Sequence, residues 1–242
     1  MSLFKIELAN VVFEINSMYS YAYDFCHSFI TDEKPDVKIQ ITPSDLSEER
    51  KRQELIGFED KSSDSVLELN NIHRQISDRI IDYGVFMMHA AVISIDDSSF
   101  LFAAKSGTGK TTHLIRWLIN SPNARIINGD KPFIITEGVP MACGSPWAGK
   151  ERLYSNSKVP LKAIVFMERA KNNKMKRISF AEAFPAFLQQ VYLPENEKGF
   201  RQTLKLMQSL NGRVSFWRFQ CNNYKDDCFS VAYNALVNDL TN

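Results

Sequence analysis

At 242 residues and a formal net charge of +1, the chain is long enough to bury a sizeable core and carries no overall field to recruit nucleic acid or an anionic membrane. Apolar residues make up 44% and charged residues 24%, an ordinary globular balance, and no apolar run approaches the roughly 18–20 residues of a membrane span. Cys26, Cys143, Cys221 and Cys228 are widely spread without a C-x-x-C pair, so they read as reduced thiols rather than as disulfides or a zinc site. With no signal-peptide h-region at the start, the expected compartment is the cytoplasm, with neither nucleic acid nor membrane as partner.

In chain order, Phe4 to Ile15 alternates as a hairpin of strands, and Val37 to Ile41 reads as a further strand. Thr42 to Asp64 turns polar, which predicts an exposed loop with a short helix. Val66 to Leu69 is expected as a strand. Asn70 to Tyr83 is expected as a helix on the spacing of Ile72, Ile76 and Ile80, with Gly84 at its end. Residues 1–84 therefore read as a smaller β-rich lobe, and 85–242 as the α/β core. There Val85–Ile95 and Ser99–Ala103 form a buried hairpin about Asp96-Asp97-Ser98. Later come a central strand at Leu161–Phe166 and a solvated turn carrying Lys171, Lys174, Lys176 and Arg177. A helix at Ala181–Leu193, a strand at Val214–Phe219 and a last helix at Phe229–Leu240 follow.

Leu101 to Thr112 carries the strongest signal. An apolar strand enters the small-residue loop Ala104-Lys105-Ser106-Gly107-Thr108-Gly109-Lys110-Thr111, and a helix leaves it with Leu114, Ile115 and Leu118 on its expected inner face. This is a P-loop, with Ala104 where the pattern has its first glycine. Gly107 and Gly109 free the backbone to aim N–H groups at phosphate oxygens, and the helix start adds positive potential. Ser106 through Thr112 are the expected nucleotide contacts. Lys110 would reach the β- and γ-phosphates of ATP, and the Thr111 hydroxyl would hold Mg²⁺.

A phosphate loop needs a carboxylate near its metal. Asp130 follows the apolar run Arg125-Ile126-Ile127-Asn128-Gly129, twenty positions beyond Lys110, which leaves room for one helix and one strand. Its bland alternative is a turn residue before Lys131-Pro132. His89, within Phe86 to Val92, reads first as a hydrogen-bonded core residue and second as a catalyst. The stretch Gly144 to Glu151, around Trp147, Lys150 and Glu151, is either a substrate loop or a surface loop anchored by a tryptophan. Glu168, closing the Leu161 strand, is a further candidate metal ligand or a surface carboxylate.

Taken together, His89-Ala90-Ala91, Ser106 to Thr111 and Asn128-Gly129-Asp130, in this order, resemble the catalytic domain of HPr kinase/phosphorylase. That family shares its mixed-sheet P-loop fold with ATP-dependent phosphoenolpyruvate carboxykinase. The closer resemblance is to its short stand-alone bacterial relatives, through Pro146 to Glu151 and Phe166 to Arg169, over roughly residues 66–235. The resemblance implies a kinase using ATP and Mg²⁺ to phosphorylate a hydroxyl of a peptide, protein or small molecule. Lys110, Asp130 and His89 would be its catalytic residues, Thr111, Asp130 and Glu168 its metal ligands, and Trp147, Lys150 and Glu151 its substrate contacts. It also implies assembly into homo-oligomers. The departure is Gly129, where the bifunctional enzymes carry a second Asp; phosphorylase activity is put in doubt. The competing expectation is a nucleotide-binding accessory protein with little catalysis.

Overall fold

The computed structural model describes residues 2–55, 57 and 62–240. The chain forms two compact units, Met1–Tyr83 and Gly84–Asn242. No helix among the described residues is long and apolar enough to cross a membrane.

In the first unit, strands β1 (Ser2–Leu8) and β2 (Val11–Ser17) pair antiparallel across a turn that holds Ala9 and Asn10 at φ 50° and 69°. Helix α1 (Tyr21–Cys26) precedes β3 (Val37–Gln40), which lies parallel to β2. Two longer helices follow, α2 (Pro43–Leu55) and α3 (Asp64–Arg79). The expected strand at Val66–Leu69 is instead the first part of α3, because Leu69, Ile72 and Ile76 continue one buried helical stripe. Glu68 is buried there with a purpose: its carboxylate accepts the backbone N–H groups of Met18 and Tyr19, the latter at 3.1 Å. Burial pushes its pKa up, and those two hydrogen bonds oppose the shift.

The expected loop after Thr42 is largely helix, with Leu46 buried and Glu49 clamped by Arg74 of α3 at 3.0 and 3.1 Å. Residues 56 and 58–61 of that stretch lie outside the described residues. The unit is therefore not β-rich. Helices of 13 and 16 residues outweigh strands of 7, 7 and 4.

The second unit is a mixed α/β layer structure on a nine-stranded sheet. It begins with β4 (Val85–Met87), β5 (Ala90–Ile95) and β6 (Ser98–Ala103). The apolar run at Val85–Ile95 is thus two strands, broken at Met88-His89. Helix α4 (Lys110–Asn120) leads to β7 (Ala124–Asn128), and β8 (Phe133–Ile135) and β9 (Met141–Cys143) precede the long β10 (Lys158–Arg169). Then come β11 (Lys174–Ile178), α5 (Phe180–Leu188), α6 (Glu197–Ser209), β12 (Ser215–Cys221) and α7 (Cys228–Asn238).

The heart of the sheet is a parallel trio, β6, β10 and β12, with β10 in the middle. β5 pairs antiparallel with β6 and with β7, β11 pairs antiparallel with β12, and β4, β8 and β9 join through the first residues of β10. The lysine-rich segment expected as a turn forms the edge strand β11, where exposed charge discourages further strand pairing. α5 stops at Leu188, short of the expected Leu193, since Val191 bridges to Met88 and the Tyr192 N–H donates to the Met87 carbonyl.

Strand alternation sends Leu101, Ile164 and Phe166 to one face, against Phe187 of α5 and Met207 of α6. Phe100, Phe102 and Val165 go to the other, against Leu114 and Trp117 of α4 and Leu236 of α7. The inner face of α4 is thus His113, Leu114 and Trp117. Ile115 and Leu118, expected inside, are exposed. Trp117 touches Phe100, Phe102, Phe229 and Tyr233 with ring centroids 5.4–5.8 Å apart. Trp117→Ala should cost about 3–5 kcal/mol in denaturant unfolding, whereas Ile119→Ala, 75% exposed, should stay within about 0.5 kcal/mol.

Candidate functional site

The parallel trio ends on one side of the sheet. Ala103 lies opposite Phe166, and Cys221 lies opposite Arg169. Because β5 runs the other way, its first residue, Ala90, faces Ala103, while Asn128 at the end of β7 faces Val92. The glycine loop, Arg169, His89 and Asp130 are therefore gathered at the carboxyl ends of the parallel strands, the usual ligand edge of such sheets.

The loop is built by two left-handed glycines, Gly107 at φ 75° and Gly109 at φ 108°. A side chain at Gly109 would put its Cβ 2.2 Å from Asn223 Nδ2, and that amide donates to the Gly109 carbonyl at 3.0 Å. Arg169 donates to the Gly107 carbonyl. Lys105, Ser106, Gly107 and Thr112 are exposed, Thr108, Gly109 and Thr111 half-buried, and Lys110 is buried at the first turn of α4.

Lys110 Nζ donates to the Ala104 carbonyl at 2.9 Å and lies 3.2 Å from His89 Nε2. His89 Nε2 is also 3.1 Å from Asp130 Oδ1, and Lys131 pairs with the other oxygen of Asp130. Only one proton can sit on Nε2, so His89 either donates to Asp130 or accepts from Lys110. Burial pushes the Lys110 pKa down; the Asp130 carboxylate opposes this and Lys131 adds to it. Burial would raise the Asp130 pKa, but the His89 hydrogen bond and the charge and hydrogen bond of Lys131 outweigh it, holding the carboxyl well below its usual range.

Asp130 is aimed by a residue that the sequence reading left without a role. Asn128, fully buried, accepts the backbone N–H groups of Asp130 at 2.9 Å and Lys131 at 2.7 Å, and donates to the Ser145 carbonyl at 3.0 Å. Ser145 in turn donates to the Lys131 carbonyl at 2.6 Å. The signal was a polar residue closing an apolar strand. His89 is fixed in the same way, its backbone N–H donating to the Gln190 carbonyl at 2.6 Å.

Around Trp147 the loop is mostly buried up to Ala148, and Lys150 and Glu151 are exposed. Gly149 passes over the acid, since a Cβ there would lie 3.3 Å from Asp130 Cβ. The loop thus reaches Asp130 through its glycine. Glu168 is exposed and lines a cavity of about 500 Å³ with Lys105, Thr108, Gln190 and Arg218. Among the described residues it does not join His89 and Asp130 in a cluster of three metal donors. A second cavity of about 580 Å³ flanks the loop, lined by Thr108, Thr112, Arg116, Arg169, Asn223 and Tyr224.

The residues present fit a polyphosphate and a hard cation. The glycine loop surrounds a buried ammonium, and Thr111 and an ionised Asp130 are oxygen donors of the kind magnesium takes. A second carboxylate at position 129 does not fit. A Cβ on Gly129 would come within 2.8 Å of the Ala148 carbonyl and 3.3 Å of the Leu153 carbonyl.

No protein-family model matches the chain, and no curated protein matches it. Among solved structures it is similar to the HPr(Ser) kinase/phosphatase from Coxiella burnetii, with a TM-score of 0.40 and 9% identity over 64% of this chain and 93% of that one. A likeness so distant carries no weight for activity or site, which rest on the residues described above.

Two outcomes follow from this geometry. Gly129→Asp should cost about 1–3 kcal/mol of unfolding free energy through overpacking and should yield no second metal-binding carboxylate; a variant as stable as the parent would contradict the steric account. Asp130 stabilises the fold when ionised, because its folded pKa is depressed. That stability is complete above the unfolded value of about 3.9 and is lost as pH falls towards the folded value. In acid titrations of unfolding free energy, Asp130→Asn should lack that part of the slope.

Proposed function

We propose that the chain is an ATP-dependent phosphotransferase of the HPr kinase type, on a phosphoenolpyruvate carboxykinase-like core, moving a γ-phosphoryl group to a hydroxyl. The observation that supports this best is the cluster Lys110, His89 and Asp130, linked by contacts of 3.2 and 3.1 Å at the mouth of a glycine loop. ATP would supply the phosphoryl group, and Mg²⁺ would neutralise charge on its oxygens.

The chain's own residues divide the work. Lys110, desolvated and pre-aimed, exchanges its contact with the Ala104 carbonyl for phosphate oxygens. Backbone N–H groups of Gly107 to Thr111 and the start of α4 add positive potential without reorganising. Thr111 and Asp130 would hold the cation. Both oxygens of Asp130 are already engaged, one by His89 and one by Lys131, so its proposed role is to hold and orient the hydroxyl or the metal while His89 takes or relays the proton. The exposed Lys150 and Glu151 beside the Gly149 turn are the proposed acceptor contacts, the acceptor being a peptide, protein or small molecule. Positioning and charge neutralisation carry most of such a reaction, which therefore tolerates a single carboxylate.

A nucleotide-binding accessory role is the second reading. It is favoured by Lys131, which already occupies one oxygen of Asp130, and by the lack of room for a second acid at position 129. A single-turnover assay with γ-labelled ATP, Mg²⁺ and pooled hydroxyl acceptors separates the two. Transfer that falls by about 10²–10³-fold in Lys110→Ala is the expected result. Transfer unaffected by that substitution would overturn the kinase assignment, and ATP bound without transfer to any acceptor would favour the accessory role.

A further inference from the structure

Two of the four cysteines, Cys221 and Cys228, come together in space. Cys221, ending β12, and Cys228, opening α7, bring their sulfurs to 3.4 Å, and Cys228 Sγ lies 3.5 Å from His113 Nδ1 on the inner face of α4. Asn223 Oδ1 is 3.2 Å from one sulfur and 3.3 Å from the other. His113 and Cys228 are fully buried, and Cys221, 4% exposed, lines the cavity beside the phosphate loop.

Two thiols and an imidazole so close suggest a metal site or a redox pair, and hydrogen-bond accounting separates them. The Trp117 indole N–H, which can only donate, points at His113 Nε2 from 2.9 Å. Nε2 therefore carries the lone pair, and the ring proton sits on Nδ1, facing Cys228. A metal ligand at Nδ1 would need that proton moved to Nε2, against the indole N–H. In the arrangement present, Cys228 sulfur faces the His113 Nδ1–H and the Cys221 thiol, both able to donate to it as to a thiolate, while Asn223 Oδ1 accepts from whichever sulfur keeps its proton. Accordingly the Cys221 hydrogen bond draws the Cys228 thiol down, with burial opposing and His113 assisting, while the same shared hydrogen bond moves Cys221 up. Cys26 and Cys143, by contrast, are pushed up to about 12 by burial.

We propose that Cys221 and Cys228 are a redox-active dithiol, a modification site at which a hydroperoxide closes a disulfide and thereby loosens the phosphate loop. The cavity gives a small peroxide access to Cys221, whose proton can pass to Cys228 across the short sulfur–sulfur contact. Cys221 sulfur attacks the peroxide as its proton passes to the Cys228 thiolate: an S–O bond forms, the O–O bond breaks, and the departing alkoxide or hydroxide takes up a solvent proton. Cys228 then attacks the sulfenic sulfur. The S–S bond forms, the S–O bond breaks, and hydroxide leaves with the Cys228 proton as water. Two thiols lose two electrons, and the peroxide gains them.

Closure draws the sulfurs from 3.4 Å to about 2.05 Å and removes both S–H protons, so neither sulfur can go on donating to Asn223 Oδ1. The other end of that carboxamide holds the Gly109 carbonyl, and its backbone carbonyl accepts from Arg116. The redox state of the pair is in this way written into the loop through one asparagine.

The test uses the full chain treated with hydrogen peroxide. Expected are a Cys221–Cys228 crosslinked peptide by mass spectrometry, Cys26 and Cys143 still alkylated after unfolding, and amide hydrogen exchange at Gly109–His113 rising several-fold, all reversed by dithiothreitol. Absence of the crosslink would overturn the proposal, as would a crosslink with unchanged exchange. So would stoichiometric zinc that copurifies and is lost in Cys228→Ser. Exchange in Cys221→Ser, folded or not, is compared only with its own peroxide-free control, where no change is expected. None of these readouts involves nucleotide, so failure of the kinase assignment leaves this one standing, and the reverse.

Discussion

A lysine ammonium out of water is the constraint on which the site depends. Lys110 is 8% exposed and carries its charge at the start of a helix, where backbone dipoles also repel it. Three groups make that tolerable: the Ala104 carbonyl, the His89 ring and, beyond it, the Asp130 carboxylate. Each comes from a different strand end, so the charge can be accommodated only when β5, β6 and β7 are in register. An anion entering the loop would replace these partners with a stronger one, and the burial that is unfavourable without it would then raise the affinity.

The surrounding backbone serves the same end. Asn128 spends its whole side chain on the turn carrying Asp130 and on Ser145 of the neighbouring loop. That close approach leaves no space at Gly129, so the residue that looks like a missing carboxylate is in fact a packing requirement. On the far side, Arg169 and Asn223 fasten the two glycine carbonyls of the loop to the ends of β10 and β12. The loop is held from both sides, with a cavity on each.

Features set by local chemistry were readable in the sequence. The glycine loop is legible because only glycine takes φ 75° and φ 108° without strain, and the central strand because the apolar run Ala163–Met167 suits a strand buried on both faces. Where tertiary partners decide, the sequence misled. Val66–Leu69 resembles a strand until Glu68 finds two backbone N–H groups to accept. The buried stripe of α4 shifts from Ile115 and Leu118 to His113 and Trp117, since aromatic neighbours from β6 and α7 make the larger contact. Asn223 and the pairing of His113 with Cys228 had no local signal, for those partners lie more than a hundred positions apart.

The central claim is that this loop, and no other part of the chain, takes the phosphates of a nucleotide. Backbone amide NMR during titration with a non-hydrolysable ATP analogue and Mg²⁺ addresses it directly. The account predicts the largest shifts at Gly107 to Thr112, with Asp130 and Arg169 following. Shifts centred elsewhere, or none at millimolar analogue, would contradict it.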